Sequence, residues 1–303
     1  MATSLTLQFA SPPGIWANYT RVLTGRKPRI MPAGATVPRI EATLAPIRID
    51  PDHLARYAAI CGMPRTDVVP IAFPHMLASG MHLAMLSSPA FPVSVLGIVH
   101  LQNRIERLHA QDPAEPMALR SWIEGHRDTE LGHEFELQTE GTTAGEVIWR
   151  ETCVFLARGL RAPRARVLAA ERARERERER EAAADSQPLR TSRFTAPAGL
   201  GRRYAVVSSD YNPIHLGDLA AKPFGFRKAI THGMWSLARC AAEAGEADAR
   251  GAVTLDVTFK APVFMPAELL FESRTAPGSV LFTMKDATSD KPYLAGELRT
   301  PAA

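Results

Sequence analysis

Apolar and polar residues alternate with period two along Val253-Thr254-Leu255-Asp256-Val257-Thr258-Phe259, as a half-buried strand requires. Just upstream, Met234, Leu237, Ala238 and Ala241 recur at helical spacing, predicting a helix that Thr231 caps, that runs to about Ala244 and that Gly245 stops. Further strands are expected at Leu269 to Arg274, Ser279 to Lys285 and Tyr293 to Arg299. Pro262, Pro266, Pro277-Gly278 and Ser289 to Pro292 separate them. The first half repeats the order: an apolar helix around Phe73 to Leu86, then strands at Val95 to Leu101, Ala118 to Glu124, Glu134 to Thr139 and Gly145 to Ala157. A long apolar helix followed by an antiparallel meander predicts an α+β fold, a sheet wrapped round one helix. Strand-helix-strand alternation, the mark of a parallel sheet, is absent.

The halves also align residue by residue. Tyr57 matches Tyr204, His75 matches His232, and Val95 to Leu101 matches Val253 to Phe259. Between tyrosine and histidine the first copy is ten residues shorter, and the missing stretch corresponds to Asp210 to His215 in the second copy. Such a two-copy pattern predicts duplication, with the chemistry kept in the second copy alone. Between the halves, Glu171 to Glu181 alternates Arg and Glu almost without interruption, and no apolar residue larger than alanine lies between Ala169 and Gln187. That stretch cannot bury a face and reads as a solvated linker. The expected organisation is a first domain at 1–160, a charged linker at 161–193 and a second domain at 194–303.

Composition narrows the partners. The chain has 303 residues, a net charge of +4 and a pI of about 9.1. This excess suits an anionic substrate handle and is too weak to argue for nucleic acid. Val68 to Leu86 carries no formal charge, but Pro70, Pro74, His75 and His82 interrupt it, so it reads as buried core and no membrane insertion is expected. Met1 to Ala17 lacks the pattern of a signal peptide, and the expected compartment is the cytoplasm. Cys61, Cys153 and Cys240 have neither metal-type nor redox-type spacing. No metal and no organic cofactor is expected. Trp16, Tyr19, Arg21, Arg26 and Lys27 form an aromatic-basic leader, read as a packed segment with no assigned role.

The chemistry concentrates in Asp210-Tyr211-Asn212-Pro213-Ile214-His215 and in Thr231-His232-Gly233-Met234. Proline fixes its own φ and forces Asn212 out of helical geometry, so the segment must turn. The turn lets a carboxylate and an imidazole converge on one water and move its protons. The competing reading is an ordinary Asx turn capped by Asp210, with His215 in the helix that follows. Gly233 falls in the first turn of the second-half helix, where backbone N–H groups lack internal partners and the helix dipole favours negative charge. Without a side chain it admits a substrate carbonyl; the alternative is a packing glycine under the sheet. His75 has no Asp/His pair beside it and reads as structural. Ser208 and Ser209 are not in a nucleophile elbow.

Tyr204 to Ser236 resembles the signature of the MaoC-like hot-dog family, the (R)-specific enoyl-CoA hydratases and 3-hydroxyacyl-thioester dehydratases. The family pattern is close to Ser-Gly-Asp-x-Asn-Pro-x-His followed by His-Gly-Met. Here Ser209 stands where glycine is usual. The two-copy layout resembles the double hot-dog members with one inactive half. The resemblance implies that Asp210 and His215 hold and activate a water and that the Gly233 N–H is the oxyanion donor. Asn212, Pro213, Thr231 and His232 would support the loop and the substrate. The first-half helix would line an acyl groove. The implied reaction is reversible hydration of a trans-2-enoyl thioester to the (R)-3-hydroxyacyl thioester, on coenzyme A or acyl carrier protein. An acyl-thioester hydrolase and a non-catalytic acyl-CoA-binding subunit on the same fold are the alternatives. Two copies in one chain would make a monomeric pseudo-dimer or, with further pairing, a homodimer.

Overall fold

The computed structural model describes residues 4–32, 34–64, 67–158, 187–249 and 251–300. In order they form β1 (Leu5–Phe9), α1 (Ile15–Thr24), β2 (Ile40–Ile47), α2 (Pro51–Cys61), α3 (Phe73–Ser87), β3 (Ile98–Arg107), β4 (Met117–Ile123), β5 (Arg127–Thr129), β6 (Gly132–Thr143) and β7 (Glu146–Arg158). The second half follows with β8 (Leu189–Ala196), α4 (Leu200–Ser208), α5 (Pro213–Leu216), α6 (Asp218–Ala221), α7 (Gly233–Glu243), β9 (Val253–Phe259), β10 (Ala267–Ala276), β11 (Ser279–Asp286) and β12 (Pro292–Arg299). Most of the expected linker at 161–193 lies outside the described residues. Its last five residues, Leu189 to Arg193, are already strand, because a sheet edge next to solvent accepts a polar sequence.

The strands make one twelve-stranded sheet in the order β1-β2-β4-β6-β7-β3-β9-β12-β11-β10-β8, with β5 on β6. Read outward from the β3–β9 seam, the two sides are the same: β3, β7, β6, β4, β2 against β9, β12, β11, β10, β8. The duplication is therefore visible in the topology. The halves share a sheet, joined by antiparallel pairing from Gln102↔Thr258 to Arg107↔Val253. Each half packs a helix against its strands, α3 on β2, β4 and β6, and α7 on β9 and β12.

Helix α3 is buried nearly all round, which explains the uncharged run from Val68 to Leu86. At 15 residues it is shorter than the ~20 that a membrane span needs. No helix among the described residues is long and apolar enough to cross a membrane. Strand β3 runs beyond the expected Leu101 to Arg107, because its inward positions include the polar Asn103 and Arg107, which hide the alternation. Asn103 bonds to Glu151, and Arg107 donates to the carbonyl of Ala249. Two indoles tie the layers: Trp149 Nε1 donates to Ile71 O (2.7 Å) and Trp235 Nε1 to Ile60 O (2.9 Å).

His75 is structural, as its sequence context predicts. Its Nδ1–H donates to both oxygens of the fully buried Glu151 (2.8 and 2.9 Å), and Asn103 Nδ2 donates to Glu151 Oε1 (2.7 Å). Burial pushes the Glu151 carboxyl up, but His75 and Asn103 outweigh it and hold it down at about 2. Because the folded value lies below the ordinary 4.5, this contribution is present above about pH 4.5 and is lost as pH falls toward 2. Removing one partner of a buried pair leaves the other uncompensated. Glu151→Ala should lower unfolding free energy by ~3–5 kcal/mol in urea titration at pH 7; an unchanged midpoint would show that the pair does not hold the first half together.

Candidate active site

Helix α4 ends at Ser208, and Ser209 turns the chain with φ 58 and ψ 15, the left-handed region. The resembled pattern has glycine at this position, and the backbone shows why: only glycine takes this conformation without cost. The turn is then fixed by side chains bonding to nearby backbone. Asp210 N donates to Ser208 Oγ (3.2 Å), Asn212 N to Asp210 Oδ1 (3.1 Å) and Ile214 N to Asn212 Oδ1 (3.4 Å). Asn212 is extended (φ −56, ψ 124), as the following Pro213 demands, and Pro213 opens α5. The Asx turn therefore coexists with the convergence of Asp210 and His215.

His215, on α5, is buried. Its Nδ1–H donates to Ile230 O (2.8 Å), which leaves the lone pair on Nε2. His232 stacks on it, with ring centroids 3.8 Å apart and planes at 28°. His232 Nε2–H donates to the carbonyl of Asp210 (2.9 Å), and its buried Nδ1 has no partner among the described residues. Asp210, His215 and His232 each offer a donor atom within 4.8 Å of the others. Sequence spacing of five and twenty-two residues thus becomes one cluster.

Burial, then the neighbouring His215, pushes the His232 imidazole down to about 3, so it is neutral at pH 7. Burial also lowers His215, against the opposing pull of Asp210 and the Ile230 carbonyl. Burial raises the Asp210 carboxyl, but His232, His215, the Tyr19 hydroxyl and the Asn212 N–H together bring it below its ordinary value. Its side chain is still 41% exposed, so water reaches it. The site at neutral pH is a carboxylate facing neutral imidazoles.

Helix α7 begins at Gly233, one residue after its N-cap His232, and no side chain caps it. Thr231 is not the cap expected from sequence. Its N–H donates to Val263 O (2.9 Å) and its hydroxyl bonds to Ser236 (3.2 Å), because Ile230 is drawn into a bridge with Phe264. The Phe259 ring stands 3.2 Å from where a Gly233 side chain would begin, so position 233 has little room for one. The N–H groups of the first turn can receive an oxygen on which negative charge develops.

Three groups among the described residues bring metal-ligand side chains together: the site triad, His75/His82/Glu151, and His126/Asp128/His133. In the last two, His75 with Glu151 and His133 with Asp128 (2.7 Å) already form hydrogen-bonded pairs. Two residues near the site carried no signal in the sequence. Tyr19, from the leader, donates its hydroxyl to Asp210 Oδ1 (2.7 Å). Gly201, on α4, lies so close beneath α5 that a Cβ there would stand 1.9 Å from His215 O. Gly201→Ala must push His215 away. Activity should fall by ~10²-fold or more from misplacement alone, measured as kcat alongside a thermal melt; wild-type kcat would show that His215 tolerates displacement.

Residues 179–293 match the family model described as MaoC like domain. The chain is 28% identical over 282 residues to 3-hydroxyacyl-thioester dehydratase X of Mycobacterium tuberculosis, covering 93% of this chain and 96% of that protein. The crystal structure of HtdX of Mycobacterium tuberculosis superposes with a TM-score of 0.70 at 26% identity, over 86% of this chain and 99% of that one. A MaoC-like dehydratase from Phytophthora capsici shares the fold, with a TM-score of 0.67 at 18% identity over 88% of this chain and 96% of that one. Residues 179–293 are thus a MaoC-like domain, seated in a chain that folds as a double hot-dog of the MaoC-like dehydratase type.

Proposed function

We propose that this chain is a hydro-lyase acting on acyl thioesters, adding water across a trans-2-enoyl thioester to give the (R)-3-hydroxyacyl thioester, and the reverse. One observation carries this reading. A carboxylate and an imidazole with a free Nε2 lone pair converge beside an uncapped helix start. Water at the triad donates one hydrogen to His215 Nε2 and the other to Asp210, which directs its oxygen lone pair at the β-carbon. Charge passes through the conjugated system to the thioester oxygen, where the Gly233 N–H and the α7 dipole stabilise the enolate. Net addition moves one proton from water to the α-carbon, and Asp210 and His215 share that transfer. Asn212 and Pro213 hold the loop, and His232 pins Asp210 to the start of α7.

The identity to 3-hydroxyacyl-thioester dehydratase X across nearly the whole chain supports the same reaction class. The thioester handle is coenzyme A or acyl carrier protein, in fatty-acid or related acyl metabolism. Three free, buried cysteines fit a reducing cytoplasm.

Asp210→Asn and His215→Ala should each lower kcat by ~10²- to 10⁴-fold without changing the melting temperature by more than a few degrees. The assay is loss of enoyl absorbance with crotonyl-CoA and longer enoyl-CoAs. Full activity in either variant would sink the assignment. Release of free thiol from saturated acyl-CoA would favour hydrolysis instead.

A further inference from the structure

Helix α1 belongs to neither repeat, since it lies in the leader ahead of β2. Yet its Tyr19 reaches Asp210, 191 positions away, with an O–H···O distance of 2.7 Å. The leader is fastened at several points. Strand β1 pairs in parallel with β2, from Leu5↔Ile40 to Phe9↔Leu44. Helix α1 packs on α3, and Pro13, just ahead of α1, brings its carbonyl oxygen within 2.7 Å of where a Gly80 Cβ would stand, so the lead-in to α1 needs position 80 without a side chain. Beyond α1, Lys27 Nζ donates to the carbonyls of Leu86 and Ser88 at the end of α3.

Asp210 Oδ1 accepts two donors, the Tyr19 hydroxyl and the Asn212 N–H. Two donors on one oxygen stop the carboxylate rotating and leave Oδ2 on the side of His232, 3.9 Å from its Nε2. We propose that Tyr19 is a positioning residue of this site, a strap-borne donor that holds Oδ1 so that Oδ2 faces the reacting water. This rests on the reading of Asp210 as the acid/base carboxylate. Burial and the Asp210 charge push the Tyr19 hydroxyl well above its usual range, so it stays a donor. The other titratable groups facing Asp210 are Tyr204 on α4, His215 on α5 and His232 at the start of α7. Tyr204 spends its own hydroxyl on Met76 Sδ (3.3 Å), and His215 and His232 spend one nitrogen each on backbone carbonyls. Among the described residues, Tyr19 is the side chain that donates directly to the carboxylate within hydrogen-bond distance.

The test is Tyr19→Phe in the full chain, which keeps the ring and removes the hydroxyl. With crotonyl-CoA, kcat should fall roughly 10- to 100-fold, the scale of one lost charge-assisted hydrogen bond. KM should stay within about twofold, since the donor acts on the carboxylate and not on substrate binding. The acidic limb of the kcat profile should move to higher pH, because the variant loses a donor that favours the ionised carboxyl. Gly80→Val, which must displace Pro13, should move the same limb and add little in the Tyr19→Phe background. An unchanged kcat and limb in Tyr19→Phe overturns the proposal. So does a lowered melting temperature with the limb in place, which marks a purely structural role. Asp210→Asn separates the two readings. If it is inactive while Tyr19→Phe is normal, only the Tyr19 proposal fails; if it is fully active, the hydratase reading fails first.

Discussion

A helix that starts inside a protein with no side-chain hydrogen bond capping its first turn is the constraint on which this site depends. Its leading N–H groups would be left without partners, at a cost comparable to lost hydrogen bonds. Helix α7 starts in this way at Gly233. The residue before it, His232, bonds through its ring Nε2 to the carbonyl of Asp210. The helix end thus remains a positive pole, and the loop carrying Asp210 is drawn up against it. In the proposed reaction the acceptor is the thioester carbonyl oxygen, most strongly when that oxygen carries charge.

The same burial sets the protonation states. Two stacked imidazoles cannot both be charged in a water-poor setting, and His232 is held neutral by desolvation and by His215. Asp210 is opposed by the same desolvation, yet His232, His215 and the Tyr19 and Asn212 donors hold its carboxyl below its ordinary value, and part of it meets solvent. Neutral imidazoles and an ionised carboxylate therefore lie together at neutral pH.

Much of this was legible in the sequence because it is local. The bounds of β9 and the start of α3 follow from periodicity, and the Asp-x-Asn-Pro-x-His turn follows from proline sterics. The repeat shows in both the alignment and the sheet order. What escaped is non-local or runs against pattern. Tyr19 meets Asp210 across 191 positions of sequence, a contact that local pattern does not report. Gly201 matters because of what lies across from it, which spacing along the chain does not report. Thr231 was expected to cap α7 from its residue type, but strand-like pairing of Ile230 with Phe264 takes it out of reach. Leu189 to Arg193 reads as linker because an edge strand needs no apolar alternation.

The two matched histidines of the duplicated fold sit in different helix registers. His75 and His232 are matched positions, but α3 begins at Phe73, two residues before its histidine, whereas α7 begins after its own. Met76, the counterpart of Gly233, lies inside helix α3, where an N–H bonds back to the carbonyl four residues earlier. Pro74 removes an N–H from the first turn of α3. His75, two residues into α3, pairs with the buried Glu151. Fewer than four residues of helix register separate a core-building histidine from one that frames a reaction site.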